Sequence, residues 1–400
     1  MTDLDRTVDF LQRLMRTPGL PGEEGATADI VRDEMEALGY DEVSVDEAGS
    51  VVGLVRGEVR RPSLMFNTHL DHVDVGDPAR WPHPPFGAEI ADGRVWGRGA
   101  VDIKGPLAAQ VHGAARLLAD GERPPFDVYV SAVVQEEIGG LGARHLAERL
   151  ATDLVVIGEP SSNELRRGHR GRTELRVHAT GRSVHASVPE RGVNPLYVAA
   201  GFLERLPAVE LPEDPELGPT SVAPTLIRTD QASRNVVPGE VWLTLDVRAG
   251  PDTTPEILRS LLGPALEEAA AAVPGAAGEI LVPAAEHRTW TGLAREVPAV
   301  NPSWVRAADD PAVTTAGDVL ERALGARPPV GLWKFATDGG HFVAHGSTVI
   351  GIGPGDETLA HTVRESLELS ELERALAINE ALAREWPAAW KAAGGGAAGA

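Results

Sequence analysis

The sequence predicts an α/β protein: a domain built on a largely parallel sheet, interrupted by a smaller α+β sandwich. Three observations point there. Toward both ends of the chain, short apolar runs alternate with amphipathic stretches, the pattern of buried strands and the helices that cover them. Between about Arg172 and His287 the runs instead alternate apolar with polar residues, as half-exposed antiparallel strands do. The length, 400 residues, gives ample chain for two or three domains and a sizeable core.

Each element follows from its own pattern. "DRTVDFLQRLMRTPG" puts Val8, Leu11, Leu14 and Met15 on one helical stripe and stops at Pro-Gly. "TADIVRDEMEALGY" repeats the pattern, with Gly39 as its C-cap. "SLMFNTH", "FDVYVSAVVQ", "DLVVIGE" and, much later, "STVIGIG" read as buried strands, with helices at "PLAAQVHGAARLLADG" and "GARHLAERLA" between them. In the middle region, "TELRVHAT" and "EVWLTLDVRA" read as antiparallel strands, each followed by a helix, "NPLYVAAGFLERLP" and "TPEILRSLLGPALEEAAAAV". A last amphipathic helix, "SELERALAINEALAREW", precedes a low-complexity end, "AAGGGAAGA". The expected organisation is a main domain over 1–171 and 288–390, an insertion over 172–287, and a disordered tail over 391–400.

Composition narrows the chemistry. A formal charge of −22 argues against nucleic-acid and anionic-membrane partners, which are bound through Lys and Arg. No stretch approaches the ~20 apolar residues of a membrane span. The acidic start "MTDLDRTVDF" is not that of a signal peptide, so a cytoplasmic enzyme is expected. Cysteine is absent, which leaves His, Asp and Glu as the only available metal ligands, with 12 histidines to choose from.

Those residue types gather at strand ends. In "NTHLDHVDVG", alternation along an extended chain sends His69 and Asp71 to one face and His72 and Asp74 to the other. Glu136 and Glu137 end "VYVSAVVQEE", Glu159 ends "LVVIGEP", and His361 lies just past "VIGIGPGDETLAH". Asp102 sits in "GRGAVDIKGP", a Gly-rich turn leading into a helix. Ligands of an open α/β sheet bind beyond the carboxyl ends of its strands, so this combination predicts a metal site. Imidazoles with carboxylates suit zinc, and also cobalt or manganese. A pair of such ions, about 3.5–4 Å apart, needs a bridging carboxylate, activates a water and polarises a carbonyl. A further carboxylate is then needed as base.

The motifs "THLDHVDVG", "WPHPPFGAEIADGRVWGRGAVDIKG", "VVQEEIGGLGARHL", "VIGEPSS", "GRSVHASVPERGVNP", "NVVPGEVWLTLDVR" and "GIGPGDETLAHTVRE" resemble, in order, the zinc metallopeptidase family of acetylornithine deacetylase, succinyl-diaminopimelate desuccinylase and glutamate carboxypeptidase. The wording "RGHRGRTEL" together with "ATDGG" is nearest to a subgroup of hydrolases whose substrates do not follow from sequence. The resemblance runs from about residue 5 to 385. It implies a catalytic domain with two zinc ions per subunit and an inserted domain that forms a homodimer. It implies His69 and Glu159 on one zinc, Glu137 and His361 on the other, Asp102 bridging, Asp71 orienting His69, and Glu136 as general base. A cis peptide after Asp102 is implied too. His185 would reach a partner subunit's site and stabilise the tetrahedral oxyanion. Asn235, Arg170 and Arg248 match substrate-side positions, although salt bridging on a strand explains the two arginines equally well.

The implied activity is hydrolysis of an amide bond in an N-acyl amino acid, as a deacetylase-type amidohydrolase. The alternative is a di- or carboxypeptidase acting on short peptides. Glu159 accompanies deacylase and carboxypeptidase members. Near "TDGGHF", where many deacylases carry an arginine clamp for the substrate carboxylate, the nearest residue is His341, which lacks the fixed charge and the fork of Arg. A metal-free binding or scaffold relative should have lost ligands, and none is missing here. "GIGPG" lacks the G-x-G-x-x-G of a dinucleotide loop, and no G-x-S-x-G elbow exists. His112, His145 and His178 fall inside helices or strands and are assigned no role.

Overall fold

The computed structural model describes residues 2–119 and 123–396. The chain forms two compact units. One comprises the chain up to Gly168, the segment Glu286–Arg295 and everything from Arg306 onward; the other comprises His169–Ala285 and Glu296–Val305.

In the larger unit, the strands Phe126–Val133, Val59–His69, Leu154–Ile157 and Thr348–Gly351 lie side by side in that order, all parallel. Antiparallel strands flank them. Val51–Val55 and then Glu42–Val45 lie beyond Phe126–Val133, and Leu165–His169 pairs with Thr348–Gly351. Leu64, Met65 and Phe66 are consecutive and all fully buried, so both faces of their strand are covered. That is why these strands read as unbroken apolar runs. The register sets His69 opposite Val133, Asn67 opposite Ile157, and Ile157 opposite Gly351. The four carboxyl ends therefore stop almost level, and polar residues collect beyond them.

Helices Lys104–Ala119 and Leu369–Ala392 pack on the Val59–His69 strand. Lys104 is fully buried, and burial pushes its amine down to about 7. Its Nζ donates to Leu14 O at 2.8 Å and Thr17 O at 2.7 Å, joining the end of the Asp3–Met15 helix to the start of its own. The expectation of a disordered tail from residue 391 is corrected in part. The last helix continues to Ala392 because Trp386 and Trp390 are buried beneath it, and Gly395 N–H donates to Trp390 O at 2.9 Å. Residues 397–400 lie outside the described residues.

In the smaller unit, Ser221–Thr229, Glu240–Ala249, Gly171–Thr180 and Ala277–Leu281 form an antiparallel sheet in that order. Alternate residues (Leu175, Val177, Leu243, Leu245) meet Val198 and Phe202 of the Leu196–Arg205 helix and Leu258 and Leu262 of the Pro255–Ala271 helix. The boundary differs from the one expected. The unit also takes back Glu296–Val305, whose two-residue strand Val300–Asn301 pairs with Thr173 and Arg172. A strand that short carries no readable periodicity.

The other face of this sheet carries charge, paired in place. Arg172 and Arg248 both bind Asp246, at 2.8 and 2.7 Å, and Arg176 binds Glu174 at 2.9 Å. His178 lies between Glu240 at 2.9 Å and Glu279 at 3.3 Å and stacks on Trp242 with centroids 5.1 Å apart.

Candidate metal centre and active site

The level strand ends carry the acids and imidazoles. His69 is the last residue of its strand, and Glu136, Glu137 and Glu159 follow theirs within a few residues. Asp102 lies just before the Lys104–Ala119 helix, and the Asp102–Ile103 peptide is cis. His69 Nε2 lies 3.3 Å from Asp102 Oδ1 and 3.6 Å from Glu159 Oε1. His361 Nε2 lies 3.0 Å from Asp102 Oδ2 and 3.2 Å from Glu137 Oε1. Two donor trios result, His69–Asp102–Glu159 and Asp102–Glu137–His361, each with its ligand atoms within 4.8 Å of one another. Asp102 gives one oxygen to each.

This donor set fits a pair of divalent cations. Each trio is one imidazole and two carboxylates, a zinc-type set that leaves a further position for water or substrate. Electrostatics point the same way. Burial pushes the Glu137 and Glu159 carboxyls above the ordinary range. The imidazoles are drawn toward their charged forms. Hydrogen bonds donated to Asp102 and Glu137 push His361 up to about 10, and against the effect of its burial those donated to Asp102 and Asp71 raise His69. Burial opposes ionisation of Asp102, yet His361 and His69 hold it below the usual range. A pocket crowded with acid demands positive charge, and bound dications satisfy that demand.

Asp71 organises the arrangement without joining a trio. It is fully buried. His69 Nδ1 lies 3.3 Å from Asp71 Oδ1 and 3.1 Å from its backbone carbonyl, so that nitrogen is the donor and Nε2 is left for the site. The same carboxylate accepts Glu136 N–H and Glu137 N–H, each at 3.1 Å. Glu136 belongs to neither trio. Burial, and then the charge of Asp338, push its carboxyl well above the ordinary value.

Two neighbours escaped the sequence reading. Glu24 is buried; its Oε1 accepts Gln135 N–H at 3.2 Å and its Oε2 accepts Gly22 N–H at 2.9 Å. Three successive amides, those of Gln135, Glu136 and Glu137, are thus held by two carboxylates. Gln135 has φ 58°, a left-handed conformation uncommon for a residue with a Cβ, and this grip sustains it. Asp338 is buried too, and burial pushes its carboxyl up to about 7. In sequence both resemble helix N-caps, before Gly25–Ala37 and Gly339–Ala344, yet neither makes a capping hydrogen bond. A carboxylate at a helix start looks the same whether it caps or turns away.

The remaining expected residues lie elsewhere. His72 Nε2 accepts Gly19 N–H at 3.0 Å and Asp74 Oδ1 accepts Gly76 N–H at 2.6 Å, so both hold the loop. His341 is buried close to Gly140, where a side-chain Cβ would come 2.6 Å from its Nε2. That seat does not suit a surface clamp for a carboxylate. Arg170 donates to Ser221 Oγ and Arg248 O, at 2.8 and 2.9 Å, and Arg248 is engaged by Asp246. His185 is exposed and pairs with Val236, next to Asn235. Ser187 N–H donates to His185 Nδ1 at 3.1 Å, which puts the proton of the neutral ring on Nε2. "GIGPG" packs under the Glu159 loop. Gly353 N–H donates to Ser161 Oγ at 3.0 Å, and a Cβ there would meet Glu159 O at 2.5 Å.

The sequence model of Peptidase family M20/M25/M40 matches residues 65–385. The chain belongs to that family. Over 386 residues it is 30% identical to the uncharacterized protein YgeY of Escherichia coli (strain K12), covering 94% of this chain and 93% of that one. It is 30% identical over 275 residues to succinyl-diaminopimelate desuccinylase of Paracoccus denitrificans (strain Pd 1222), covering 66% and 72%. Its fold matches the crystal structure of Bacillus subtilis YxeP, described as a dinuclear metal binding peptidase from the M20 family, with a TM-score of 0.72 at 16% identity over 95% of this chain and 97% of that one. As a member of the M20 family, the protein is a metal-binding hydrolase. Among the described residues no helix is long and apolar enough to cross a membrane.

Proposed function

We propose that this M20 hydrolase cleaves the amide bond of an N-acyl amino acid, using two divalent cations, with zinc as the expected metal. The observation that carries the reading is the division of Asp102 between two donor trios beside a carboxylate, Glu136, that neither trio engages. The desuccinylase relative supports an acyl substrate. The fold likeness to a peptidase supports the second reading, cleavage of a short peptide by a di- or carboxypeptidase.

His69, Glu159, Asp102, Glu137 and His361 would hold the two cations, which when bound would supply polarisation of the scissile carbonyl and acidification of water. Glu136 takes a proton from the attacking water and returns it to the departing nitrogen. The C–N bond breaks, and a carboxylate and an amine leave. A carboxyl held by burial above the ordinary carboxylate range suits both the taking and the giving. Asp71 keeps the His69 proton on Nδ1 and holds Glu136 and Glu137 at fixed backbone positions. The reading includes a cytoplasmic homodimer formed through the inserted unit, with His185 of a second copy donating its Nε2 proton to the developing oxyanion.

The test is a panel of N-acetyl, N-succinyl and N-carbamoyl amino acids beside dipeptides, each with metal-stripped enzyme and with Zn, Co or Mn restored. Turnover of one acyl class only with metal present is expected. Turnover of dipeptides alone favours the second reading, and full activity of stripped enzyme refutes both.

A further inference from the structure

Glu365 lies four residues after His361 and is fully buried. Its Oε1 accepts both Val101 N–H and Asp102 N–H, each at 3.1 Å. Its Oε2 takes an N–H from Arg98 Nη1 at 2.5 Å. Arg98 is buried as well. Its guanidinium lies 5.0 Å from the centre of the Trp81 ring, and its Nη2 reaches Asp74 O at 3.3 Å. The backbone at Glu365 is pinned too. Its carbonyl accepts Gly97 N–H at 3.1 Å, and Ser366–Glu368 pairs with Arg94–Trp96. One side chain therefore ties the turn that ends in Asp102 to the segment that carries His361, although Glu365 belongs to neither donor trio.

We infer that Glu365 is a positioning residue for the shared carboxylate. Asp102 must aim its two oxygens at different partners, and the peptide before it sets that aim. A single oxygen holding the amides of Val101 and Asp102 stops the peptide from rotating. One carboxyl oxygen can accept both N–H groups at once, and Arg98 anchors the other oxygen from behind. Glu365 thus builds the bridge before any cation arrives and keeps His361 in step with it. Glutamine cannot substitute cleanly. With its carbonyl toward the two amides, its NH2 opposes Arg98, donor against donor in a dry pocket.

The inference rests on the two-cation reading, and its test separates the two. Metal-free wild type, Glu365→Gln, Glu365→Asp and a control, Glu371→Gln, would be titrated with Co²⁺ while its visible ligand-field bands are recorded. Glu371 is a partly buried carboxylate that accepts Gly355 N–H at 2.5 Å and belongs to neither donor trio. Wild type and control should take up two equivalents with the same spectrum. Glu365→Gln should bind at least one equivalent about 10–100-fold more weakly, with altered bands. Glu365→Asp keeps the charge but loses reach, and should fall between. A folded Glu365→Gln with wild-type affinities and bands overturns the inference. The second arm needs no variant. In metal-free wild type the Val101 and Asp102 amides should already be protected from hydrogen exchange, and protection that appears only once Co²⁺ is added also overturns it. Uptake of one equivalent or fewer by wild type refutes the two-cation reading, while the exchange arm still judges the hold of Glu365.

Discussion

On the open sheet face of the inserted unit, Asp246 is shared by two arginines, Glu174 has Arg176, and His178 has an acid on either side. At the carboxyl ends of the parallel strands, Asp102, Glu137, Glu159, Glu136 and Asp338 crowd around two imidazoles, and burial lifts most of their pKa values. The first pattern is charge settled by its neighbours, at a surface where each pair contributes little. The second is like charge confined without enough counter-charge, which a fold tolerates only where a ligand or a reaction uses it. The number of charged residues does not separate the two regions. What separates them is whether each charge already has its partner.

The sharpest way to break this contrast is at Glu136 and Glu137, neighbours in sequence with different surroundings. Glu136→Gln should keep both cations and lose about 10²–10⁴-fold in kcat, while Glu137→Gln should weaken metal binding. Metal content and turnover measured together decide it; metal lost from the first variant and kept by the second would exchange their roles.

His185 tests whether an exposed residue of the inserted unit belongs with the reactive group. His185→Ala should lower kcat by about 10²–10³-fold, more than it raises KM, because its donor acts on charge present only in the transition state. Mixed with Glu136→Ala and allowed to exchange subunits, it should recover activity that neither variant shows alone. Mass-verified mixed dimers without activity would confine His185 to its own chain.

The smallest effect is expected at Arg248. If its pairing with Asp246 is its whole role, Arg248→Ala should change stability by less than about 1 kcal/mol and leave KM unchanged. A steep rise in KM for substrates bearing a carboxylate, absent with their carboxamides, would make it a specificity residue and weaken the contrast.

Much of this was legible in the sequence for a physical reason. Buried parallel strands need unbroken apolar runs, so "SLMFNTH" and "DLVVIGE" show both the strand and the polar residue at its end. His69, Glu137, Glu159 and His361 stood out because each follows such a run, whereas the place of Asp102 between two ligand sets came from the family resemblance. Glu24 and Glu365 were hidden because their work is done on backbone amides, which leave no trace in side-chain pattern. The return of Glu296–Val305 to the inserted unit was hidden by the shortness of its strand, and the burial of His341 by the shortness of its helix, Gly339–Ala344.

The order of the donors along the chain has a consequence for synthesis. His69, Asp102 and Glu159 all precede the insertion, whereas His361 follows it by many residues. A ribosome that has translated only as far as the inserted unit has released one complete trio and a carboxylate pair that lacks its imidazole. The Thr348–Gly351 strand must then slot in beside Leu154–Ile157, a parallel pairing across a long loop and of the kind that forms slowly. The trio that contains His361 is thereby the last to be assembled, and Glu365, which holds the Asp102 amide, arrives only with it.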